Sequence, residues 1–405
     1  MRDPAFRRLW AGQTASQFGA QSSQVVLPLL AVVSLHADAV QLGALRAVQQ
    51  VPILLFSLLV GVWVDRWRSR GVMVLADFGR ALGLAAISVA ALLGVLGMPV
   101  LLAVGFLVGA LSVCFDVGYQ ASLVRLVRRD QLARGNSALE GSRSAAQIGG
   151  PALGGAMVSL LSAPLAAAAS GFFFLVSALS LRGMRGADSV AQHAGRSPRL
   201  GRQMREGFQL VFHNASLRSV AIASGIFQFS FAALMTVYLL FLPRTLQLSG
   251  AAVGLVLAAM GPGALLGSLL ASRLPERFGY GTVMVTSAVL ADGAMLCVPA
   301  LHGPSATTVA LLMAVNFAFG VFSQLVDITV TTVRQAITPV GIQGRVVATI
   351  NFAGMGLTPL GSLLGGWLAG RWGLRTGLLL TAVALALSPV FMASSPLARL
   401  GKRLT

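Results

Sequence analysis

The chain reads Gly109-Ala-Leu-Ser-Val-Cys-Phe-Asp116 in one place and Gly320-Val-Phe-Ser-Gln-Leu-Val-Asp327 in another. Both stretches follow the pattern Gly-x-x-Ser-x-x-x-Asp, and they are 211 residues apart. Each lies inside an apolar run long enough to form a membrane-crossing helix. A motif that recurs after about half the chain indicates a protein built from two similar halves.

Two further pairs of residues support this duplication. Pro151 and Pro359, each followed by small residues, are 208 residues apart, and Gly61 and Gly267 are 206 residues apart. Chance matches are common in a chain rich in glycine and alanine, but three matches at nearly one offset are not. The sequence therefore predicts two homologous helical bundles.

The composition restricts the class of protein. Of the 405 residues, 56% are hydrophobic and only 10% are charged, whereas soluble proteins are about 25% charged. So few ionic groups cannot cover a water-exposed surface, which excludes a soluble enzyme, a disordered protein and a fibrous protein. The apolar runs have the length of transmembrane helices and lack the short alternating segments of a barrel. We expect an all-α membrane protein with twelve transmembrane helices in two pseudo-symmetric six-helix bundles.

The twelve predicted spans fall into two sets of six. The first set lies near residues 12–35, 40–63, 72–96, 99–122, 138–161 and 164–182. The second set lies near residues 217–242, 249–271, 280–301, 305–330, 346–369 and 374–395. We expect residues 1–183 to form the N-terminal bundle, residues 184–213 a cytoplasmic linker, and residues 214–405 the C-terminal bundle.

The net charge of +18 comes mainly from arginines in short clusters between the apolar runs. Alternate loops are rich in arginine, whereas the opposite loops contain only Arg244, Arg371 and Arg375. By the positive-inside rule, we expect both termini and the linker to lie in the cytoplasm. No basic face alternates with aromatic residues, so we expect no nucleic-acid partner.

Repeated bundles joined by a linker are typical of carriers that work by alternating access. The expected partners are therefore a small-molecule substrate and the lipid bilayer, to which the motif and the acidic residues described below add protons. We expect the chain to act as a monomer. Lys402 is the only lysine, which excludes a phosphate-binding P-loop. The four histidines lack metal-ligand spacing, so we expect no metal, no cofactor and no enzymatic activity.

A charged motif, Gly61-Val-Trp-Val-Asp65-Arg66-Trp-Arg-Ser-Arg70, follows the second predicted span. Asp65 can pair with Arg66 or Arg70 at a helix end. Asp77 and Arg80 lie one turn apart on the third span, near the same side of the membrane. We expect these residues to form a conformational latch, and the alternative is an ordinary solvated turn.

This motif resembles the Gly-x-x-x-Asp-Arg-x-x-Arg-[Arg/Lys] signature of the major facilitator superfamily. Residues 6–13, 76–81 and 131–139 look like the branch of enterobactin-exporter-like and macrolide-efflux-like carriers. The resemblance implies the fold of that superfamily, a place in the bacterial inner (plasma) membrane, and the export of a drug-like or siderophore-like molecule. Proton-coupled uptake of a metabolite and a non-transporting membrane sensor are the alternatives.

The fifth predicted span contains Gly150-Pro151-Ala-Leu-Gly154-Gly155, which resembles the end of a motif that marks drug:proton antiporters. The resemblance implies that export is coupled to protons. Ordinary close packing of small residues is the alternative.

Polar side chains within the spans are candidates for the substrate site. Gln13, Gln17, Gln21 and Gln24 share one face of the first span, because steps of three and four residues return to one face of a helix. Arg46 lies about two turns into the second span. We expect these five residues to line the cavity, with Arg46 on an anionic or strongly polar substrate group, unless Arg46 extends to lipid headgroups instead. Three phenylalanines are expected to form an apolar wall: Phe227, Phe231 and Phe317.

Three acidic residues inside the spans are candidates for proton coupling, because an ionisable group in the bilayer is costly and usually functional. Asp292 is preferred because it lies near the middle of its span. Asp116 and Asp327 could instead pair with Arg125 and Arg334 for purely structural reasons.

Overall fold

The computed structural model describes residues 4–64, 69–126, 132–184, 208–338 and 343–402. Within these ranges the regular structure is helical, with no strand. The predicted all-α membrane fold is therefore confirmed. The chain divides into two compact units, one of Met1–Gly195 with Leu248–Ala258, and one of Arg196–Gln247 with Ala259–Thr405.

The first unit has a core between its first, third, fourth and sixth helices, where Leu9, Met73 and Phe115 are buried. Its helices are α1 (Pro4–Val33), α2 (Ala39–Val64), α3 (Ser69–Leu92), α4 (Met98–Leu126), α5 (Leu132–Leu160), α6 (Ala163–Arg182) and α8 (Gly250–Ala258).

The second unit is built around its first long helix, which is buried over most of its length. Its helices are α7 (Ala215–Arg244), α9 (Met260–Leu270), α10 (Leu274–Phe278), α11 (Tyr280–Met295), α12 (Ala306–Ile337), α13 (Gln343–Met355), α14 (Thr358–Trp372), α15 (Leu374–Leu385) and α16 (Leu387–Ser394). Side chains cap two of these helices: Asn214 accepts hydrogen bonds from backbone N–H groups of α7, and Ser305 from one of α12.

Within the described ranges, nine helical segments are long and apolar enough to cross a membrane. Three predicted spans are not among them, namely the first, fifth and eleventh, which correspond to α1, α5 and the pair α13 and α14. α1 and α5 contain many polar residues, and the eleventh segment is interrupted at Gly356 and Leu357. The total of twelve spans stays a prediction.

Residues 248–258 group with the first unit because α8 packs on α5. A Cβ atom placed on Gly155 would lie only 2.7 Å from the Cα of Gly254. Backbones approach this closely only where both residues lack a side chain. Most of the predicted linker, 184–213, lies outside the described residues, and the predicted domain boundaries stay predictions.

The two units repeat the same helix contacts at one spacing. A Cβ atom on Gly109 would lie 2.4 Å from the carbonyl oxygen of Gln49, and one on Gly320 would lie 2.2 Å from that of Met260. Gly109 and Gly320 are 211 residues apart, and so are Gln49 and Met260. The duplication inferred from the two Gly-x-x-Ser-x-x-x-Asp stretches is therefore present in the packing.

The contact of α5 with α1 also recurs at this spacing. A Cβ atom on Gly154 would lie 2.7 Å from the carbonyl oxygen of Ser22, and one on Gly365 would lie 2.3 Å from that of Ala233. Both members of each contact are again 211 residues from their counterparts. The same backbone-to-backbone packing thus fixes both helix pairs.

This spacing corrects two of the predicted matches. At an offset of 211, Pro151 corresponds to position 362 and not to Pro359, so the prolines differ by nearly one helical turn. Gly61 likewise corresponds to position 272 and not to Gly267. The predicted matches were wrong because similar residue types lie close to the true equivalent positions in small-residue helices.

Candidate functional site

A cavity of about 850 Å³ lies in the first unit among α1, α2, α4 and the start of α5. We call it the first cavity. The four predicted glutamines of α1 line it together with Arg46. Two further glutamines of α2 were not predicted, although they lie three and four residues after Arg46 and therefore on its face. The glutamines are Gln13, Gln17, Gln21, Gln24, Gln49 and Gln50.

The amide groups of these glutamines have no hydrogen-bond partner in the described part of the protein. None of the six side chains makes a hydrogen bond to a residue that the structure describes. The Oε1 atoms of Gln13 and Gln50 are fully buried in that state. In contrast, the hydroxyl groups of Ser22 and Ser23 donate to carbonyl oxygens of their own helix, at 2.6 and 2.9 Å. The glutamine amides, and not these two hydroxyl groups, are therefore available to a molecule in the first cavity.

Arg46 lies in the wall of the first cavity, and the structure does not place it on the outer surface. Its side chain is partly buried, and its Nε atom is fully buried without a hydrogen-bond acceptor. The guanidinium makes no ion pair to any described residue. Arg46 is thus a cation inside a predicted span with no protein counterion in the described part of the chain.

Asp77 and Arg80 form a buried ion pair at one end of the first cavity. Arg80 also donates to the hydroxyl groups of Ser16, at 3.0 Å, and Ser112, at 3.2 Å. The hydroxyl of Ser16 in turn donates to Asp77 at 3.3 Å. The side chains of Asp77 and Arg80 are 0% and 2% exposed, so the pair belongs to the core of the unit.

Two aromatic rings enclose the guanidinium of Arg80. Its Cζ atom lies 4.6 Å from the ring centre of Phe115 and 4.2 Å from that of Phe174. A cation between two ring faces is stabilised by their quadrupoles. Nothing in the sequence pointed to these phenylalanines, because they come from two other helices.

The acidic groups of the first cavity lie toward the same end. Asp116 lines the cavity, is exposed to it, and makes no hydrogen bond or ion pair to a described residue. Glu140 and Arg143 lie at the rim, 3.9 Å apart and mostly exposed. The side chain of Arg125, the suggested partner of Asp116, is outside the described part.

A smaller cavity of about 220 Å³ lies in the second unit among α7, α11, α12, α13 and α16. We call it the second cavity. Its lining includes Phe227, Asp292, Asp327 and Arg334, so the structure brings two of the predicted acidic residues together. Asp292 is only 2% exposed and makes no hydrogen bond or ion pair to a described residue. Arg334 also makes no ion pair within the described part.

The predicted aromatic residues do not all lie at a cavity. Phe227 lines the second cavity, and its ring stacks on Phe231 with centroids 5.4 Å apart. Phe231 stacks in turn on Phe319, at 5.5 Å. Phe317 lines neither cavity and is 39% exposed on its unit.

A comparison with known families explains this arrangement of two similar helical units. The profile of a family described as transmembrane secretion effectors matches residues 1–403. The chain belongs to this family of the major facilitator superfamily. It is therefore a transporter and a multi-pass membrane protein, and not an enzyme.

Similar proteins of known name agree with this assignment. The multidrug efflux pump Tap of Mycolicibacterium fortuitum is 27% identical over 95% of this chain and 94% of its own length. The pump of the same name from Mycobacterium tuberculosis is 28% identical over 95% of this chain and 91% of its own length. The crystal structure of the nucleoside transporter NupG has a TM-score of 0.76 at 15% identity, covering 97% of this chain and 99% of NupG. At that identity the likeness shows a shared fold.

In this transporter, the Gly-Pro motif of α5 positions the glutamine face of α1. A Cβ atom on Gly150 would lie 2.3 Å from the Cβ of Gln21, and Gly154 lies against Ser22. Gly155 faces the other way, toward Gly254 of α8, and the carbonyl oxygen of Pro151 is close to the same residue. The motif thus lets α5 touch a helix on each side.

The structure describes only part of the predicted latch. Gly61 lies in the last turn of α2, whereas Asp65 and Arg66 lie outside the described residues. Arg70 donates a hydrogen bond to the carbonyl oxygen of Arg182 at the end of α6. Asp77 and Arg80 pair with each other inside the core, as described above. The latch stays a prediction.

Proposed function

We propose that this transporter exports a small drug-like or siderophore-like organic molecule across the bacterial plasma membrane in exchange for protons. Relatives named as multidrug efflux pumps, similar along nearly the whole chain, support export. In this proposal both termini are cytoplasmic, as the arginine-rich loops predict. Substrate and protons then pass by alternating access, in which a cavity opens to one side of the membrane at a time.

The observation that supports proton coupling best is the state of Asp292. This carboxyl group is buried in the second cavity without a protein partner among the described residues. An unpaired carboxylate is costly in such surroundings, whereas a neutral carboxylic acid is not. Asp292 therefore takes up a proton when the cavity is dry and releases it when the cavity opens to water. Asp116 and Asp327, which are more exposed, are secondary candidates for the same role.

The substrate site in this proposal is the first cavity. Its volume is within the range of small-molecule sites, about 300–1,000 Å³. Its six glutamine amides offer donors and acceptors that bond to no residue in the described part of the chain. In the second unit, Phe227 lines the second cavity and Phe231 stacks on it, and we propose these rings as a separate apolar surface for the substrate.

The experiment uses everted membrane vesicles from cells with and without the full-length chain. A respiratory pH gradient, acidic inside, is followed with a quenched amine dye while a panel of antibiotics and siderophores is added. An exported compound should restore fluorescence, because its entry into the everted vesicle releases protons. Compounds that move at the same rate after an uncoupler is added would overturn proton coupling. Compounds that move out of the everted vesicles with the protons would overturn export in favour of uptake.

A further inference from the structure

Among the described residues, the charged groups of the first cavity pair with one another, with two exceptions, Arg46 on α2 and Asp116 on α4. Arg80 pairs with Asp77 in the core, and Arg143 lies 3.9 Å from Glu140 at the rim. Arg46 makes no ion pair to any described residue. A cation in a membrane span normally pairs with an acidic side chain, so its missing counterion needs another source.

The remaining carboxylate of the cavity, Asp116, is too distant to neutralise Arg46. Gly105 lies against Leu45 and Gln49, and Gly109 lies against Gln49, so α2 and α4 run in the same direction. Arg46 is three residues before Gln49, and Asp116 is seven residues after Gly109. At 1.5 Å per residue, this places the two groups about 15 Å apart along the helices. Interactions between charges in water are screened over about 8–10 Å, so Arg46 gains little from Asp116.

The groups around Arg46 suit an oxyanion. A guanidinium presents a planar fork of N–H donors that matches a carboxylate. Gln49 and Gln50 follow Arg46 at i+3 and i+4 on the same helix face, and both line the cavity. Their NH₂ groups are further donors that bond to no described residue, and the Oε1 atom of Gln50 is buried without a partner among those residues.

The wall of the first cavity is also partly apolar, with Leu27, Ile53 and Val108 in its lining. Ile53 lies two turns after Arg46 on α2. A molecule that places an acidic group at Arg46 can therefore place a hydrophobic body on these side chains. The combination excludes a purely inorganic anion as the best occupant, because such an ion would leave the apolar wall in contact with water.

We propose that the first cavity binds amphiphilic organic acids, with the carboxylate paired to Arg46. This inference rests on the proposed function, because it names the substrate class of the exporter. The same charge selects against cationic compounds, since an organic amine at this position would place two unpaired cations together.

The test measures binding to the purified full-length transporter in a neutral detergent, with no gradient and no transport. The probes are 2-naphthoic acid and 2-naphthamide, which share shape and apolar area and differ in charge. Dissociation constants are measured by equilibrium dialysis at pH 7. We expect the acid to bind at least tenfold more tightly than the amide. Equal binding of the two probes by the unaltered protein would overturn the proposal, whatever the behaviour of any variant.

Variants then assign the selectivity to one residue. Arg46→Gln should remove the preference for the acid, whereas Arg46→Lys should retain most of it. Arg143→Gln is the matched control, because it removes an arginine of the same cavity that already has an acidic neighbour, and it should keep the preference. A preference that survives Arg46→Gln, or that is lost equally in Arg143→Gln, would overturn the assignment to Arg46. The rise in Tm on adding chloride is also compared with the rise on adding 2-naphthoic acid. Equal rises would overturn the proposal in favour of an inorganic anion.

The outcomes separate this inference from the proposed function. A transporter that exports compounds in exchange for protons but binds both probes equally contradicts only the inference. A transporter that binds the acid through Arg46 but moves no compound in vesicles contradicts only the proposed function.

Discussion

Gly109 of α4 lies against the backbone carbonyl oxygen of Gln49 on α2, so closely that a Cβ atom on the glycine would be 2.4 Å from that oxygen. Gly320 and Met260 repeat the contact in the second unit, at 2.2 Å. The methyl group of an alanine cannot occupy either position unless the two helices separate. Gly109 therefore sets the distance between α2 and α4, which frame the first cavity. Gly320 sets the distance between the equivalent helices of the second unit, α9 and α12.

Replacement of Gly109 by alanine should destabilise the first unit. The added methyl group forces α2 away from α4, and overpacking of this kind costs about 1–3 kcal/mol. Thermal unfolding of the full-length protein in detergent measures the effect as a lower Tm. Gly141→Ala on α5 is the control, because a Cβ atom at that position would have no neighbour within 4 Å among the described residues. Equal Tm values for the two variants would show that the α2–α4 contact is not tight.

Replacement of Arg80 alone should lower the thermal stability of the protein more than replacement of Arg80 together with Asp77. Arg80→Met leaves the buried carboxylate of Asp77 without its cation, which costs about 3–5 kcal/mol. The double variant Asp77→Leu with Arg80→Met removes both charges and should recover much of the loss in Tm. The single variant Asp77→Leu completes the comparison. If the loss of Tm in the double variant equals the sum of the losses in the two single variants, the two side chains do not stabilise the protein by pairing with each other.

Asp292→Asn should abolish proton-driven export and leave substrate binding measurable. Asparagine has nearly the same volume but cannot take up a proton, so the cavity keeps its shape and loses its coupling group. Transport in everted vesicles under an imposed pH gradient measures the first effect, and equilibrium dialysis measures the second. Gly293→Ala, at the next position of α11 and with open space around it, is the control and should transport normally. Unchanged gradient-driven transport in Asp292→Asn would remove Asp292 from the mechanism.

Cysteine labelling should distinguish cavity residues from surface residues. After Cys114 and Cys297 are replaced by serine, Gln17→Cys should react with a water-soluble maleimide, because Gln17 lines the first cavity. Phe317→Cys should react poorly, because Phe317 is exposed on the unit within a predicted span and lines neither cavity. The fluorescence of the labelled protein on a gel, measured over time, gives the ratio of the labelling rates of the two variants. Faster labelling at position 317 would show that this face of α12 meets water.

The sequence allowed a correct prediction of which residues of α1 share a face. Gln13, Gln17, Gln21 and Gln24 all line the first cavity, because spacing of three and four residues fixes one face of any helix. The same argument applied to α2 would have added Gln49 and Gln50 to Arg46. The roles given to these residues in transport stay predictions.

The sequence failed where the answer depends on contacts between helices. The enclosure of Arg80 by Phe115 and Phe174 joins three helices that no local pattern connects. The match of Pro151 with Pro359 was wrong by three residues, because small residues on either side make several registers look alike. Phe317 was placed at the cavity on residue type alone, and residue type does not give direction.

The sequence by itself determined that this chain is a helical membrane protein with two similar halves. The composition, the length of the apolar segments and the repeated motif can all be read from the order of residues alone. The tertiary structure decided which face of each helix points to a cavity and which side chains have no partner among the described residues. A membrane helix that is apolar on all sides has no polar face to mark its orientation, so only packing against neighbouring helices sets it.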